Sequence, residues 1–239
     1  MNNSDILSYP ELRRFGNQIA LPQVGMEGQE KLKKAKVVVI GAGGLGTNVL
    51  QYLAAIGVGH LGIIDYGLVE ESNIQRQILY GGNDLGKLKT IISKQNLQNL
   101  FPSVNFEIIN IQLTSGNIER ILGQFEFIVD ATNNDACHSI INHACESLKL
   151  PWVYGSITDF EGQVAVFDLD KGSSYSNLQA LGLKISNGIK GCTALSYGFI
   201  GNIMAFEVFK FIIGNDKSLH NKYLAVDLLT YQFSVKSLI

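Results

Sequence analysis

The chain has 239 residues, of which 46% are hydrophobic and 17% charged, and its formal net charge is -2. This length and composition fit one large α/β domain, and the weak charge balance gives no electrostatic case for nucleic acid or an anionic membrane surface as a partner. The first residues, Met1–Asp5, lack the basic and then apolar pattern of a secretory signal, so we expect a cytoplasmic protein.

Three features that often carry chemistry have ordinary explanations in this sequence. The cysteines are too few for a disulfide framework, form no Cys-x-x-Cys pair and are interpreted as small buried hydrophobic residues: Cys137, Cys145 and Cys192. His138 and His143 lie five apart on one predicted helix, which does not suggest a metal pair. The apolar stretch 192–214 contains two charged residues and several glycines, which favours a buried helix over a membrane span. We therefore expect no metal site and no membrane contact.

The chain opens with a helical lead-in over residues 1–34 and continues as alternating strands and helices. Strands are predicted at 37–40, 60–65, 106–110, 125–130, 152–156, 163–168, 223–228 and 232–235, and helices at 47–56, 87–100, 117–122, 138–148 and 197–213. Residues 66–74 and the crossover segment 171–190 are predicted loops, the latter exposed, and Glu161-Gly162 is a predicted turn. The alternation predicts a single α/β domain over 1–239: a Rossmann-like fold whose mainly parallel sheet is covered by helices and becomes mixed or antiparallel in its C-terminal part.

The first predicted strand runs directly into a glycine-rich turn, Gly41-Ala42-Gly43-Gly44-Leu45-Gly46, before the next helix. This order is typical of the phosphate-binding entry of a Rossmann-type unit. The first glycine permits the sharp turn, the second lets backbone N–H groups approach a phosphate, and the third lets the helix pack close to the strand. The turn by itself indicates a nucleotide without saying which one.

Charged residues downstream of the turn favour ATP. Asp65 ends the second predicted strand, 19 positions after Gly46, where a Rossmann site holds a ribose hydroxyl of NAD or ATP. Arg76 and Lys89 follow 11 and 24 residues beyond Asp65, and two cations placed this way can bracket a triphosphate, which a dehydrogenase has little need of. A NAD-dependent oxidoreductase is the weaker alternative because it rests on the glycines and Asp65 alone.

Several short motifs occur together with the glycine turn, in this order: Asn73-Ile74-Gln75-Arg76-Gln77, Gly86-Lys87-Leu88-Lys89, Tyr154-Gly155-Ser156, Glu161-Gly162-Gln163 and the stretch from Gly198 to Lys210. At these residues nearly the whole chain resembles the MoeB, ThiF and HesA adenylyltransferases, which are bacterial relatives of the ubiquitin-activating enzymes. The resemblance implies an enzyme that uses ATP and Mg²⁺ to adenylate the C-terminal carboxylate of a small ubiquitin-like sulfur-carrier protein or peptide, with release of pyrophosphate. It also implies a homodimer.

The resemblance assigns a role to each candidate site residue. Nucleotide binding falls to Gly41, Gly43, Gly44, Gly46, Asp65, Asn73, Arg76, Gln77 and Lys89. Catalysis falls to Arg76, Lys89 and Asn133. Cations at two of these positions suit the reaction, because negative charge gathers on the α-phosphate and the departing pyrophosphate.

The chain departs from the family pattern at chemically active positions. Asn17 stands where family members carry an arginine that reaches the neighbouring protomer's ATP, and Asn133 stands where they carry an aspartate that serves the magnesium, for which an amide is a weaker ligand. Ser174–Asn177 replaces the first cysteine pair of the family's zinc site, so no zinc is expected. The family's crossover cysteine maps near Asn187, and Cys192 is interpreted as a packed helix residue. These departures leave an alternative function: a catalytically impaired scaffold, or the partner of an active paralogue in a heterodimer.

Overall fold

The computed structural model describes residues 6–168, 172–181, 191 and 193–238. Within them, eight strands form one sheet: β1 (Lys36–Ile40), β2 (His60–Ile64), β3 (Asn105–Ile109), β4 (Phe127–Asp130), β5 (Trp152–Thr158), β6 (Glu161–Phe167), β7 (Lys222–Asp227) and β8 (Gln232–Ser237). The α-helices of the same residues are α1 (Tyr9–Ile19), α2 (Gly25–Lys34), α3 (Gly44–Ala55), α4 (Glu71–Ile74), α5 (Lys89–Leu100), α6 (Ile118–Leu122), α7 (Asp135–Leu148), α8 (Tyr175–Ala180) and α9 (Ala194–Ile213).

The order of strands across the sheet is β3-β2-β1-β4-β5-β6-β7-β8. Strands β1 to β5 run parallel, and β6, β7 and β8 continue the sheet in antiparallel pairs. The chain proceeds from β1 outward to β3 and then returns to β4 on the other side of β1, which makes the β1–β4 boundary the topological switch point where ligands of such sheets bind. The prediction of a Rossmann-like sheet with an antiparallel C-terminal part is confirmed.

Side chains of β1 alternate between two hydrophobic cores, one on each face of the sheet. Val37 and Val39 belong to the core that includes residues of α3, α5 and α9, whereas Val38 and Ile40 belong to the core that includes residues of α6, α7 and α8. Because both faces are covered, the strand is apolar without interruption, as expected for the centre of a parallel sheet. Packing on both faces therefore fixes the end of β1, where the glycine turn begins.

Helix α9 has a buried face and an exposed face. By length and composition it could cross a membrane, yet here it packs against α3, β5 and β6 with Ile200, Met204 and Val208 buried. Its other face leaves Leu195 83% and Phe206 60% exposed. The prediction of a buried helix therefore holds for one face only.

The predicted turn at Glu161-Gly162 is wrong, because both residues belong to β6 and pair with β5. The β5–β6 turn is made by Asp159 and Phe160, and Asp159 has a φ of 55°, a left-handed conformation that aspartate tolerates. A Cβ on Gly162 would lie 2.1 Å from the Ile200 side chain. The glycine therefore serves the close approach of α9 to the sheet, and not a turn.

The predicted crossover loop is also partly wrong. Within its described part, residues 172–181, α8 forms and buries Tyr175 and Leu178. A six-residue helix with two apolar anchors gives too short a period to be recognised in the sequence. Residues 171 and 182–190, including Asn187, and the packed-helix interpretation of Cys192 lie outside the described residues. The four-residue helix α4 was likewise missed, inside the predicted loop 66–74.

Gly46, the last glycine of the turn, allows α3 to start against the end of β1. A Cβ on Gly46 would lie 1.8 Å from the carbonyl oxygen of Gly41, far inside any tolerable contact. Both neighbours belong to the rigid strand–turn–helix unit, so neither backbone can withdraw cheaply. The close packing of α3 against the end of β1 therefore requires glycine at position 46, as predicted.

We expect Gly46→Ala to destabilise the fold by about 2–3 kcal/mol, because the added methyl group forces α3 away from β1. The melting temperature, followed by circular dichroism, should fall by roughly 5–10 °C. Gly82→Ala is the matched control, since Gly82 has no atom within 4 Å of its Cβ position. Equal melting temperatures for the two variants would contradict the packing role.

Candidate active site

A cavity of about 620 Å³ opens beyond the carboxyl ends of β1 to β4. The glycine turn forms one wall, and the segments that follow β2, β3 and β4 form others. Ser156 and Ile157 of β5 and Tyr197 of α9 complete the lining. The volume is that of a site for a small organic ligand, and it lies at the switch point of the sheet.

The glycines of the turn have three distinct surroundings. Gly41 has a φ of 92°, and a Cβ there would lie 2.9 Å from the carbonyl oxygen of Ala131. Gly44 is covered by the Tyr197 ring, whose Cγ would lie 2.7 Å from an added Cβ. Gly43, in contrast, lines the cavity with no atom within 4 Å of its Cβ position, so a side chain would project into the cavity. The turn thus presents bare backbone at Gly43, as the phosphate prediction requires.

Helix α3 begins at this turn with Gly43 as its N-cap, and no side chain caps it. The first N–H groups of a helix have no intrahelical partners and carry the positive end of the helix dipole. An anion in the cavity would therefore meet donors and a favourable field together.

Asp65 is fixed at the cavity wall by the backbone. Its Oδ2 accepts a hydrogen bond from the Ala42 N–H at 2.7 Å, and its Oδ1 accepts one from the Gly67 N–H at 2.7 Å. Each oxygen keeps capacity for a second donor, so the carboxylate can still accept a hydroxyl. The geometry fits the predicted contact with a ribose, and it also makes Asp65 part of the turn's own support.

Two cations and an amide line the cavity near Asp65. Arg76 and Lys89 are both half-buried there. Gln77 is only 3% exposed, and its Oε1 has no hydrogen-bond partner. A buried, unpaired amide oxygen costs free energy unless a ligand supplies a donor, so Gln77 indicates a ligand site. The structure therefore brings together eight predicted residues: Gly41, Gly43, Gly44, Asp65, Arg76, Gln77, Lys89 and Asn133.

Two predicted binding residues lie behind the wall. Gly46 faces Gly41 inside the turn, as described above. Asn73 is buried: its Oδ1 accepts the Glu70 N–H at 3.2 Å, and its carbonyl oxygen accepts the N–H groups of Arg76 and Gln77 at 3.0 and 2.9 Å. Neither Gly46 nor Asn73 is among the residues that line the cavity, and the binding roles assigned to them stay predictions. Asn73 holds the short turn that carries Arg76 and Gln77.

Asp130, at the end of β4, is fully buried and engaged. It accepts hydrogen bonds from His138 Nδ1 at 2.7 Å and from the N–H and hydroxyl of Thr132 at 3.0 and 2.7 Å. Asp130 therefore anchors the Thr132–Asn134 wall and does not face the cavity. Helix α7 begins next to this wall with Asn134 as its N-cap, whose side chain accepts the Cys137 N–H at 3.2 Å.

His138 is buried beside Asp130, with the Tyr154 ring against it at 5.1 Å between centroids. Burial by itself lowers the pKa of His138, but the charge of Asp130 and the hydrogen bond to it, with a smaller contribution from Asp135, leave that pKa above its ordinary value. His138 is thus a buried histidine whose Nδ1 has a hydrogen-bond partner in Asp130. Within the described residues, no three His, Cys, Asp or Glu side chains are grouped to hold a metal ion.

One wall of the cavity was not predicted from the sequence. The segment after β3, Ile111–Ser115, lines it together with Ile140 and Cys137 of α7. The rule that ligands bind at carboxyl ends of parallel strands would have pointed to 111–115, but no local signal marks Cys137 or Tyr197. Burial, followed by the charge of Asp130, raises the pKa of Cys137 to about 12, so this thiol stays protonated and contributes apolar surface.

The sheet order, the glycine turn and the cavity at the switch point define a Rossmann-like α/β protein with an anion-receptive site. The ThiF family pattern matches residues 15–238. The chain belongs to the ThiF family.

Individual relatives agree with this membership. The chain is 40% identical over 232 residues to the sulfur carrier protein adenylyltransferase of Thermus thermophilus, covering 93% of this chain and 86% of that protein. It is 37% identical to a probable molybdopterin-synthase adenylyltransferase of Porphyra purpurea and 39% identical to the adenylyltransferase and sulfurtransferase MOCS3 of Culex quinquefasciatus, covering 95% and 92% of this chain. It spans only 60% and 51% of those two longer proteins.

Solved structures give the same fold. The selenomethionine form of PaaA superposes with a TM-score of 0.82 at 27% identity, covering 100% of this chain and 77% of that chain. Escherichia coli MccB, with AMPCPP and MccA, superposes with a TM-score of 0.80 at 23% identity, covering 99% and 72%. The similarity to MccB, at this identity, speaks for the fold alone.

The His138–Asp130 pair predicts pH-dependent stability. Because the folded-state pKa of His138 is raised, its protonated form stabilises the fold fully below about pH 6.5, and this contribution is lost as pH rises through the raised pKa. The free energy of unfolding, measured with urea from pH 5 to 9, should therefore be higher for the wild type than for His138→Gln. This difference should be largest at pH 5 and decrease as the pH rises. His143→Gln, which removes an exposed histidine from the same helix, is the control. An advantage that grows with pH would refute the charged pair.

Proposed function

We propose that this protein adenylates the C-terminal carboxylate of a small ubiquitin-like sulfur-carrier protein, with ATP as the AMP donor. A carboxylate oxygen attacks the α-phosphorus of ATP, and the bond from that phosphorus to the bridging oxygen of the β-phosphate breaks. Pyrophosphate leaves with the electron pair, and the acyl-adenylate remains; no proton has to be transferred. The names of the three relatives all include an adenylyltransferase, which favours this enzyme over the scaffold alternative.

The observation that carries the proposal is the set of groups that line one cavity together: bare backbone at Gly43 and the side chains of Arg76, Gln77 and Lys89. In the transition state, negative charge accumulates on the α-phosphate and on the departing pyrophosphate. A guanidinium and an ammonium that line the same cavity as the start of α3 can stabilise that charge with little reorganisation. Arg76 can also orient a carboxylate through two parallel hydrogen bonds, which Lys89 cannot do.

The rest of the cavity suits the nucleoside. Asp65 is placed to accept a ribose hydroxyl, and Ile111, Leu113 and Ile140 offer an apolar wall for the base. The unpaired Oε1 of Gln77 would gain a donor from the ligand.

Magnesium would bind chiefly through the triphosphate, with Asn133 as a neutral oxygen ligand at the cavity wall. When bound, the ion supplies charge neutralisation on the phosphates. Asp130 is committed to His138 and Thr132 and has no exposed surface, so it does not replace the missing aspartate. The donor set of the chain therefore predicts a magnesium site that depends on ATP.

The proposal is tested by exchange of labelled pyrophosphate into ATP with a sulfur carrier that ends in Gly-Gly. Exchange should require the carrier, ATP and Mg²⁺ together. Arg76→Ala should lower the exchange rate by roughly 100-fold or more, because one fixed transition-state cation is lost. Arg120→Ala removes an exposed arginine from α6 and is the matched control.

Two results would contradict this assignment. Carrier-independent ATP binding without any exchange, across carriers from the same genome, would favour the scaffold. Full exchange by a folded Arg76→Ala protein would show that the chemistry takes place elsewhere in the chain.

We further propose that the protein is a homodimer that pairs through the outer face of α9. Phe199 and Phe206 are exposed there, and Phe199 lies 5.8 Å, between ring centroids, from the exposed Phe233 of β8. Contiguous exposed aromatic surface of this kind is typical of protein interfaces. A second copy of the chain supplies a self-complementary apolar face.

Light scattering should give twice the mass of one chain for the wild type. Phe206→Glu should shift the protein to a single chain mass, because a charge buried in an apolar interface is costly. Leu100→Glu, which changes an exposed leucine at the end of α5, should remain dimeric. A wild-type protein of one chain mass would overturn the proposal.

A further inference from the structure

Ala42, the residue between the first two glycines of the turn, has both backbone polar groups held from outside the turn. Its N–H donates to Asp65 Oδ2 at 2.7 Å, and its carbonyl oxygen accepts from the Tyr80 hydroxyl at 2.9 Å. Ala42 is itself fully buried. The two peptide units that flank it therefore have fixed orientations.

The direction of the hydrogen bonds at Tyr80 follows from the chemistry of the groups. A carbonyl oxygen can only accept, so the single Tyr80 proton is used on Ala42. The Ser93 hydroxyl, 2.9 Å from the Tyr80 oxygen, must then donate to it. Burial raises the pKa of Tyr80 above its usual value, which keeps the phenol in the protonated form that this chain of hydrogen bonds needs. Ser93 thus supports Tyr80, and Tyr80 supports the turn.

The orientation of the Ala42 carbonyl determines that of the next N–H group. The peptide bonds of the described residues are trans, and in a planar trans peptide the C=O and the following N–H point in opposite directions. Since the Ala42 carbonyl points inward to Tyr80, the Gly43 N–H points away from Tyr80. Gly43 lines the cavity, and within the described part of the chain its N–H has no hydrogen-bond partner. This donor is therefore available to a ligand.

We propose that Tyr80, supported by Ser93, is a positioning residue that turns the Gly43 N–H toward the phosphates of the bound nucleotide. The inference rests on the proposed function, because it takes the cavity to be the ATP site. Tyr80 touches neither the cavity nor the reacting atoms, so it acts through the peptide bond between Ala42 and Gly43.

The test compares a ligand with phosphates to one without. Tyr80→Phe keeps the ring and deletes the hydroxyl, and the affinity for ATP, measured by calorimetry with Mg²⁺, should fall about fivefold to tenfold. The affinity for adenosine should stay unchanged, because adenosine makes no use of the Gly43 N–H. Ser93→Ala should cause a smaller loss for ATP alone, and the double variant should be no worse than Tyr80→Phe.

Tyr175→Phe is the matched control, because it deletes another buried hydroxyl, which has no hydrogen-bond partner and lies outside the cavity lining. It should leave both affinities unchanged. A merely structural role for Tyr80 would weaken ATP and adenosine alike, and that result, or an unchanged ATP affinity in Tyr80→Phe, would overturn the inference. If Tyr80→Phe does not fold, an unchanged ATP affinity in Ser93→Ala would overturn it. A wild-type protein that binds adenosine but not ATP would defeat both proposals.

Discussion

The site depends on one close contact, the approach of the first turn of α3 to the end of β1. The contact is possible because Gly46 has no side chain where the Gly41 carbonyl lies. It places the start of a helix at the switch point of the sheet, in the wall of the cavity. Two side chains support the turn beside this contact. Asp65, just after β2, accepts a hydrogen bond from the Ala42 N–H, and Tyr80, before α5, donates one to the Ala42 carbonyl oxygen.

The opposite wall is organised by a buried charge pair. Asp130 and His138 lie behind the segment that carries Asn133, and Thr132 joins them by two hydrogen bonds to the Asp130 carboxylate. A buried carboxylate needs such partners to offset its desolvation. His138, one turn into α7, therefore helps to fix this wall of the cavity although it does not line it.

The fold was predictable because its signals are local and strong. Val37–Ile40 and the glycine turn mark a buried parallel strand and its exit. Spacing singled out Asp65, Arg76 and Lys89, and the family resemblance added Gln77; all four line the cavity. Asn73, also predicted from a motif, lies outside the cavity lining, because a motif reports which residues occur together and not which of them line a cavity. Its amide is used on the backbone of its own turn.

Other features have no local signal at all. Tyr197 lies far along the chain from Gly44, and only the packing of α9 against α3 brings its ring over the turn. Gly162 was predicted to lie in a turn, but it allows α9 to approach the sheet closely. Glycine occurs both in turns and at close approaches, and the sequence alone does not distinguish the two. Helix α8 was missed because its burial of Tyr175 and Leu178 comes from tertiary contacts and not from a repeated pattern.

The seating of α9 on the sheet has a consequence for how this chain can diverge. Gly155 and Gly162 leave the space that Met204 and Ile200 fill, so helix and strands can change there only in compensating pairs. The outward residues of the same helix fill no glycine space of this kind, and Phe199 lies beside Phe233 of β8 at the surface. Substitutions on the inner face of α9 are therefore constrained by the sheet. Those on the outer face are constrained by whatever surface covers it.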